Sequence, residues 1–188
     1  SHLDHLKYIT SLLHKHSVKN VFIHAFTDGR DTSPTNGINY LTELNNHLTN
    51  TTGIIASITG RYYAMDRDKR WERVKIAYDA LVNGDGNKFI SWKDGIEESY
   101  KNGVTDEFIK PIIITNADGL PNSTIKEKDI VFCFNFRTDR CREITQVLTQ
   151  EDMPVHGMKT LPLHYVTMTR YDDNYKNVNV VFEKDNLT

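Results

Sequence analysis

Cysteine is scarce in this chain of 188 residues: Cys133 and Cys141 are the only two. Two isolated cysteines build neither a disulfide framework nor a zinc site, so a reduced, cytoplasmic setting fits best. Long apolar runs are lacking too. None approaches the roughly 20 residues needed to cross a bilayer, and the first residues show no signal-peptide pattern. Net charge is almost absent, at -2, which excludes a general nucleic-acid binder, so any anion site must arise from local clustering of cations. Neither G-x-x-x-x-G-K-[ST] nor G-x-G-x-x-G occurs, which removes the nucleotide P-loop and the dinucleotide fingerprint. The eight histidines show no metal-ligand spacing. His24 reads as a core or sheet-edge residue, and the adjacent Tyr62 and Tyr63 as packing. No serine stands in a nucleophile context with a base, and no acidic cluster offers a divalent metal site.

What is present is a globular composition, 38% hydrophobic and 26% charged, long enough for one domain with a full core. Leu3, Leu6, Ile9, Leu12 and Leu13 recur at helical spacing over 3–15. The apolar run Val21–Phe26 reads as a buried strand, followed by a helix over 37–48 and a second strand over 53–58. Helices are expected over 70–82 and 92–102, a short strand at 112–114, and a buried strand over 129–136 that runs into a helix ending near 149. Leu163–Met168 and Val178–Phe182 read as two more strands, the last at an edge. Strands alternating with helices give an α/β fold, a three-layer α/β/α domain with a mostly parallel central sheet. The whole of 1–188 reads as one domain, and a start at Ser1 with a helix almost at once suits a piece of a longer polypeptide.

Arginine is distributed unevenly. Of nine arginines, six fall in three short segments, each just after an apolar strand run: Arg30; Arg61, Arg67 and Arg70; Arg137 and Arg140. Loops leaving the carboxyl ends of parallel strands gather at one edge of the sheet, where ligands bind. Arginine's planar fork of donors matches carboxylate and phosphate oxygens two at a time. Arg137 and Arg140 are expected at the start of a helix, where the dipole and unpaired N–H groups favour an anion. The pattern points to a small, doubly charged guest, a phosphate at one end and a carboxylate at the other. Taken singly, Arg70, Arg73 and Arg142 read as solvated salt bridges, and Arg30 with Asp31 reads equally well as a structural turn.

The three segments can also be compared with known families. Asp28–Pro34 (D-G-R-D-T-S-P), Gly60–Trp71 (G-R-Y-Y-A-M-D-R-D-K-R-W) and Phe134–Arg140 (F-N-F-R-T-D-R) resemble signature stretches of cofactor-independent phosphoglycerate mutase, and Asp106–Pro111 is similar as well. Members of that family pair a metal-binding, phosphatase-like domain, carrying two manganese ions and a phosphorylatable serine, with an inserted domain that binds the glycerate portion of the substrate. This chain resembles the inserted domain alone. The resemblance implies substrate-binding roles for Arg30, Asp31, Arg61, Arg67, Arg137 and Arg140. It implies a general acid/base role for Asp31, since a carboxylate among arginines can accept a proton at close range. Interconversion of 3-phosphoglycerate and 2-phosphoglycerate through a phosphoserine is the implied reaction, with neither metal nor nucleophile in this chain, and with the phosphatase-like domain as partner in a monomer. One departure is expected: of the family's G-G-V-H-S-H stretch only the last two residues match, as Ser1 and His2, so its substrate histidine falls outside. A stand-alone anion-binding regulatory module is the alternative; a phosphatase acting alone is disfavoured for want of a nucleophile and metal ligands.

Overall fold

A computed structural model describes residues 2–183; Ser1 and 184–188 lie outside the described residues. The elements in chain order are α1 (Leu3–Lys15), β1 (Phe22–Thr27), α2 (Gly37–Thr49), β2 (Ile54–Gly60), α3 (Arg61–Ala64), α4 (Trp71–Val82), β3 (Asn87–Phe89), α5 (Trp92–Lys101), β4 (Ile112–Ile114), β5 (Ile130–Cys133), α6 (Arg142–Thr149), β6 (His164–Thr169) and β7 (Val178–Phe182). Short 3-10 turns lie at Asp106–Phe108 and Pro154–His156. The α/β class and the mostly parallel pairing agree with the sequence reading.

The strands form two sheets rather than one. The first has the order β1-β2-β4-β3, the second β5-β6-β7. All pairs are parallel except β2–β4. The reversal has a local cause. The segment 106–109 crosses the carboxyl ends of β1 and β2, where Thr27 Oγ1 donates to the Asp106 carbonyl at 2.8 Å and the Gly60 N–H to the Ile109 carbonyl at 2.8 Å. The chain therefore enters β4 from that edge and must run back along β2.

Two apolar clusters hold the layers. One joins Leu6 of α1, Leu41, Leu44 and Leu48 of α2 and Ile96 of α5 to Ile55, Ile58 and Ile112 of the first sheet. The other joins Val74, Ala77 and Leu81 of α4 to Ile144, Val147 and Leu148 of α6, with Tyr165 of β6. Burying each such aliphatic side chain is worth about 1.5–3 kcal/mol, so these clusters dominate the stabilisation. β2 is buried from Ile55 to Gly60, as a strand covered on both faces must be.

The Asp106–Pro111 stretch fixes the carboxyl edge of the first sheet. Asp106 is buried, at 1% exposure. Its Oδ2 accepts from the Gly37 N–H at 2.7 Å, its Oδ1 from the Tyr100 hydroxyl, and its own N–H donates to the Pro34 carbonyl at 2.8 Å. Gly29, at φ +64°, and Gly60 lie so close to this segment that a Cβ would come within 2.7 Å of the Glu107 nitrogen and 2.4 Å of the Glu107 carbonyl oxygen respectively. Glycine at both positions lets the backbone approach there. The loops that follow β1 and β2 thus leave from a rigid ledge.

Candidate anion-binding site

Three loops meet at this edge. The first, 28–34, follows β1; the second comprises α3 and 65–70, after β2; the third, 134–141, follows β5. β5 ends at Cys133, several residues short of the strand expected over 129–136, because the apolar run continues as loop anchors. Phe134 packs on the first apolar cluster, and the Phe136 ring lies 6.2 Å from that of His5. Helix α6 begins at Arg142, so Arg137 and Arg140 lie in the loop before it, not in its first turn.

Arg61 joins the first two loops. Its side chain is 4% exposed, and its Nη1 donates to Asp28 Oδ1 and, at 2.9 Å, to Asp31 Oδ2. Burial disfavours the Arg61 charge, but the two carboxylates more than offset it and raise its pKa. Burial likewise pushes Asp28 upward, but the Arg61 guanidinium and the backbone N–H groups of Asp31 and Arg30 hold it below the usual carboxylate range. Asp31 also links to the third loop, with Arg137 Nη1 3.8 Å from its Oδ2.

The second and third loops are tied by Asp139 and Arg140. Asp139 takes Arg67 Nη1 at 2.7 Å and a side-on pair from Arg137, Nε at 3.1 Å and Nη2 at 3.0 Å. Burial raises the Asp139 carboxyl, and the bonds from Arg137 and Arg67 outweigh it, bringing its pKa to about 2. Arg140 Nη1 donates to the Met65 carbonyl at 3.2 Å. Its Nε is buried with no hydrogen-bond partner among the described residues. Burial, then the nearby charges of Arg61 and Arg67, lower its pKa from the usual arginine value.

Five of the six residues singled out in the sequence therefore converge: Asp31, Arg61, Arg67, Arg137 and Arg140. Arg30 stands apart, 62% exposed, with its Nη1 3.8 Å from Glu107. The convergent arginines are not bare, since Asp28, Asp31 and Asp139 lie among them. Four guanidiniums around three carboxylates leave a net positive cleft, and Arg140 is its least compensated member. Sequence reasoning passed over Asp28 and Asp139, although both lie inside the quoted motifs.

The remaining candidates have structural roles. His24 Nδ1 is 2.7 Å from Ser57 Oγ, and desolvation pulls its pKa down to about 4. Tyr62 and Tyr63 meet edge to face at 5.1 Å, with the Arg73 guanidinium 3.9 Å above the Tyr62 ring. Arg70 bonds Asp66 and Asp68. Arg142 Nε donates to the Tyr171 carbonyl at 3.0 Å. Among the described residues no three His, Cys, Asp or Glu side chains cluster as a metal site, and no helix is long and apolar enough to cross a membrane.

A buried carboxyl pair braces the site from behind. Asp66 and Glu143 are each 5% exposed. Asp66 Oδ2 accepts from the backbone N–H groups of Asp68 and Arg70, both at 3.0 Å, and Glu143 Oε1 from that of Lys69 at 2.8 Å. Glu143 Oε2 is buried with no hydrogen-bond partner among the described residues, and Asp66 is the carboxyl that acts most strongly on Glu143. Two carboxylates cannot bond without a shared proton. Burial first, and then Asp66 and Asp68, push Glu143 up to about 7. Arg70 and Arg73 lie on the far oxygen of Asp66, at 3.2 and 3.8 Å.

This pair predicts a pH dependence of stability. From about pH 4.5 upward the unfolded chain releases the Glu143 proton while the folded chain keeps it to about 7. Raising pH through that window therefore removes stability, at most roughly 3 kcal/mol. Glu143→Gln keeps the shape and donates to Asp66 at every pH. Its melting temperature should match that of the parent near pH 4.5 and exceed it by several degrees at pH 8. Melting curves that shift in parallel from pH 4.5 to 8 would refute the shared proton.

Similarity to known proteins places the chain in a family. A family model described as BPG-independent PGAM N-terminus matches residues 1–173. The chain belongs to that family. Among its relatives, the 2,3-bisphosphoglycerate-independent phosphoglycerate mutase of Flavobacterium psychrophilum is 51% identical over 188 residues, and that of Bacteroides thetaiotaomicron 53%. All of this chain is covered in both alignments, but only 37% and 36% of those relatives. The chain thus spans little more than a third of the length of those relatives. A crystal structure of Leishmania mexicana phosphoglycerate mutase at low cobalt concentration superposes with a TM-score of 0.83 at 31% identity, covering 91% of this chain and 33% of that one.

Proposed function

We propose that this chain is the substrate-binding domain of a two-domain, cofactor-independent phosphoglycerate mutase, and that the three-loop cleft holds phosphoglycerate. The observation that carries this reading is the convergence of Arg61 and Arg67 from the second loop with Arg137 and Arg140 from the third, around Asp28 and Asp31 of the first. Phosphate and carboxylate each offer paired oxygens to such forks. Arg30, in the first loop, is solvent-facing beside Glu107, and its role in binding rests on the family resemblance alone.

In the reaction, a serine of the phosphatase-like domain takes the phosphoryl group from 3-phosphoglycerate. The glycerate stays clasped by the arginines, turns, and receives the group on its 2-hydroxyl. Asp31, 2.9 Å from Arg61 and 61% exposed, would give a proton to the glycerate oxygen that the phosphoryl group leaves and regain one from the 2-hydroxyl as that hydroxyl attacks the phosphoserine. The arginines orient the glycerate and stabilise negative charge on the moving group. Two manganese ions on the other domain would supply the Lewis acid that activates serine and phosphate. No residue of this chain is assigned to them. The setting is cytoplasmic and the full-length protein a monomer.

The full-length protein should convert 3- to 2-phosphoglycerate without added bisphosphoglycerate, and residues 1–188 alone should show no turnover, with or without manganese. Failure of the full-length protein to convert, or turnover by 1–188 alone, would overturn this division of labour.

A further inference from the structure

We propose that Asp139 is a positioning residue that locks Arg67 and Arg137 into one two-pronged anion grip, an inference that rests on the reading of the cleft as the phosphoglycerate site. Arg67 and Arg137 are 46% and 55% exposed, whereas Asp139 is 30% exposed. Left alone, exposed arginines sample many rotamers, and fixing one costs conformational entropy. Asp139 removes much of that freedom in advance. It accepts three N–H bonds at 2.7–3.1 Å from two arginines that lie on different loops.

The bonding pattern distinguishes this from a casual surface ion pair, whose worth is usually small. Asp139 engages Arg137 side-on, through Nε and Nη2. That orientation turns Nη1 toward Asp31, 3.8 Å away, and Asp31 is itself bonded to the buried Arg61. The carboxylate thus sets the direction in which Arg137 presents its remaining donors: toward the cleft. Arg67 is tethered to the same Oδ2 by one nitrogen only. A single acidic side chain thereby fixes the spacing of two cations contributed by separate loops.

The opposite role is also testable. A carboxylate on two substrate arginines could instead act as an internal competitor, occupying them until the ligand displaces it. The two roles predict opposite signs. As a positioning residue, Asp139→Ala in the full-length protein should raise KM for 3-phosphoglycerate roughly ten- to a hundredfold and change kcat by less than about fivefold. Asp139→Asn, which keeps the shape but only one acceptor oxygen, should fall between, and Asp139→Glu should recover part of the loss. Because the effect runs through the arginines, Asp139→Asn should add little in an Arg67→Ala, Arg137→Ala background. The Arg137 Nε–H proton, observed by NMR without ligand, should exchange with solvent faster in the asparagine variant.

A lowered KM in Asp139→Ala would overturn positioning in favour of competition. An unchanged KM, or full additivity with the arginine substitutions, would overturn it outright. Should the alanine variant not fold, the asparagine variant carries the same comparisons. A parent protein without mutase turnover would instead sink the functional reading. A parent that turns over with an unaffected Asp139→Asn variant would sink only this inference.

Discussion

Arg61→Ala in the full-length protein is expected to lower kcat/KM for 3-phosphoglycerate by about three orders of magnitude. Arg61 is the most deeply buried of the convergent arginines, and its Nη1 is shared between Asp28 and Asp31. Truncating one partner of a desolvated, hydrogen-bonded charge pair costs about 2–5 kcal/mol or more. In this cleft the loss falls twice. The ligand loses a cation, and Asp28 and Asp31 lose the charge that compensates them, so the cleft turns toward an anion-repelling balance. Arg61→Lys should recover little, because an ammonium cannot bridge two carboxylates in a fixed plane while facing a third anion. Steady-state kinetics, with a melting curve as control, make the comparison. A variant with normal melting and kcat/KM within tenfold of the parent would remove Arg61 from the site.

Asp31→Asn is expected to act on a different quantity. It should reduce kcat by roughly two to four orders of magnitude, the usual contribution of a positioned acid/base, while KM changes only a few-fold. Asparagine keeps an oxygen for Arg61 and Arg137, so their placement, 2.9 and 3.8 Å from the Asp31 carboxylate, should largely survive. It cannot take a proton. Near-normal kcat would mean that Asp31 only orients arginines, and a KM effect equal to the kcat effect would mean that it binds without proton transfer. Together with Arg61→Ala, this variant separates the grip from the chemistry.

Much of this site is visible in the chain itself, and the reason is topological. A parallel β1–β2 pair delivers both following loops to one edge, so Asp28, Asp31, Arg61 and Arg67, placed just after apolar runs, meet there. Arg137 and Arg140 follow β5 of the second sheet, and their loop reaches the same edge through Asp31, Asp139 and Met65. Arg30 does not join them, because the positive φ of Gly29 and the ledge at 106–107 leave its side chain beside Glu107. The role of Asp106 was hidden for a related reason. The resemblance drew attention to its segment, but only the fold shows it bonded to Gly37 and Tyr100.

Other features had no local signal. The Asp66–Glu143 pair joins residues far apart in the chain, and neither periodicity nor motif connects them. The antiparallel β4 and the division into two sheets depend on where 106–109 crosses β1 and β2, which apolar patterning does not encode. The short strand β3 contains Asn87 and Lys88 and is largely exposed, so it lacks the alternation that marks a half-buried strand. Phe134 and Phe136 extended the apparent strand because anchoring a loop requires the same apolar side chains as burying a strand.

The structure of the full-length protein with 3-phosphoglycerate bound bears most directly on the shared cleft. The expected result is one ligand molecule with Arg61, Arg67, Arg137 and Arg140 all within about 3.2 Å, hydrogen-bonding distance, of its oxygens. A ligand bound elsewhere, with these four guanidiniums still turned to Asp28, Asp31, Asp139 and Met65, would contradict it.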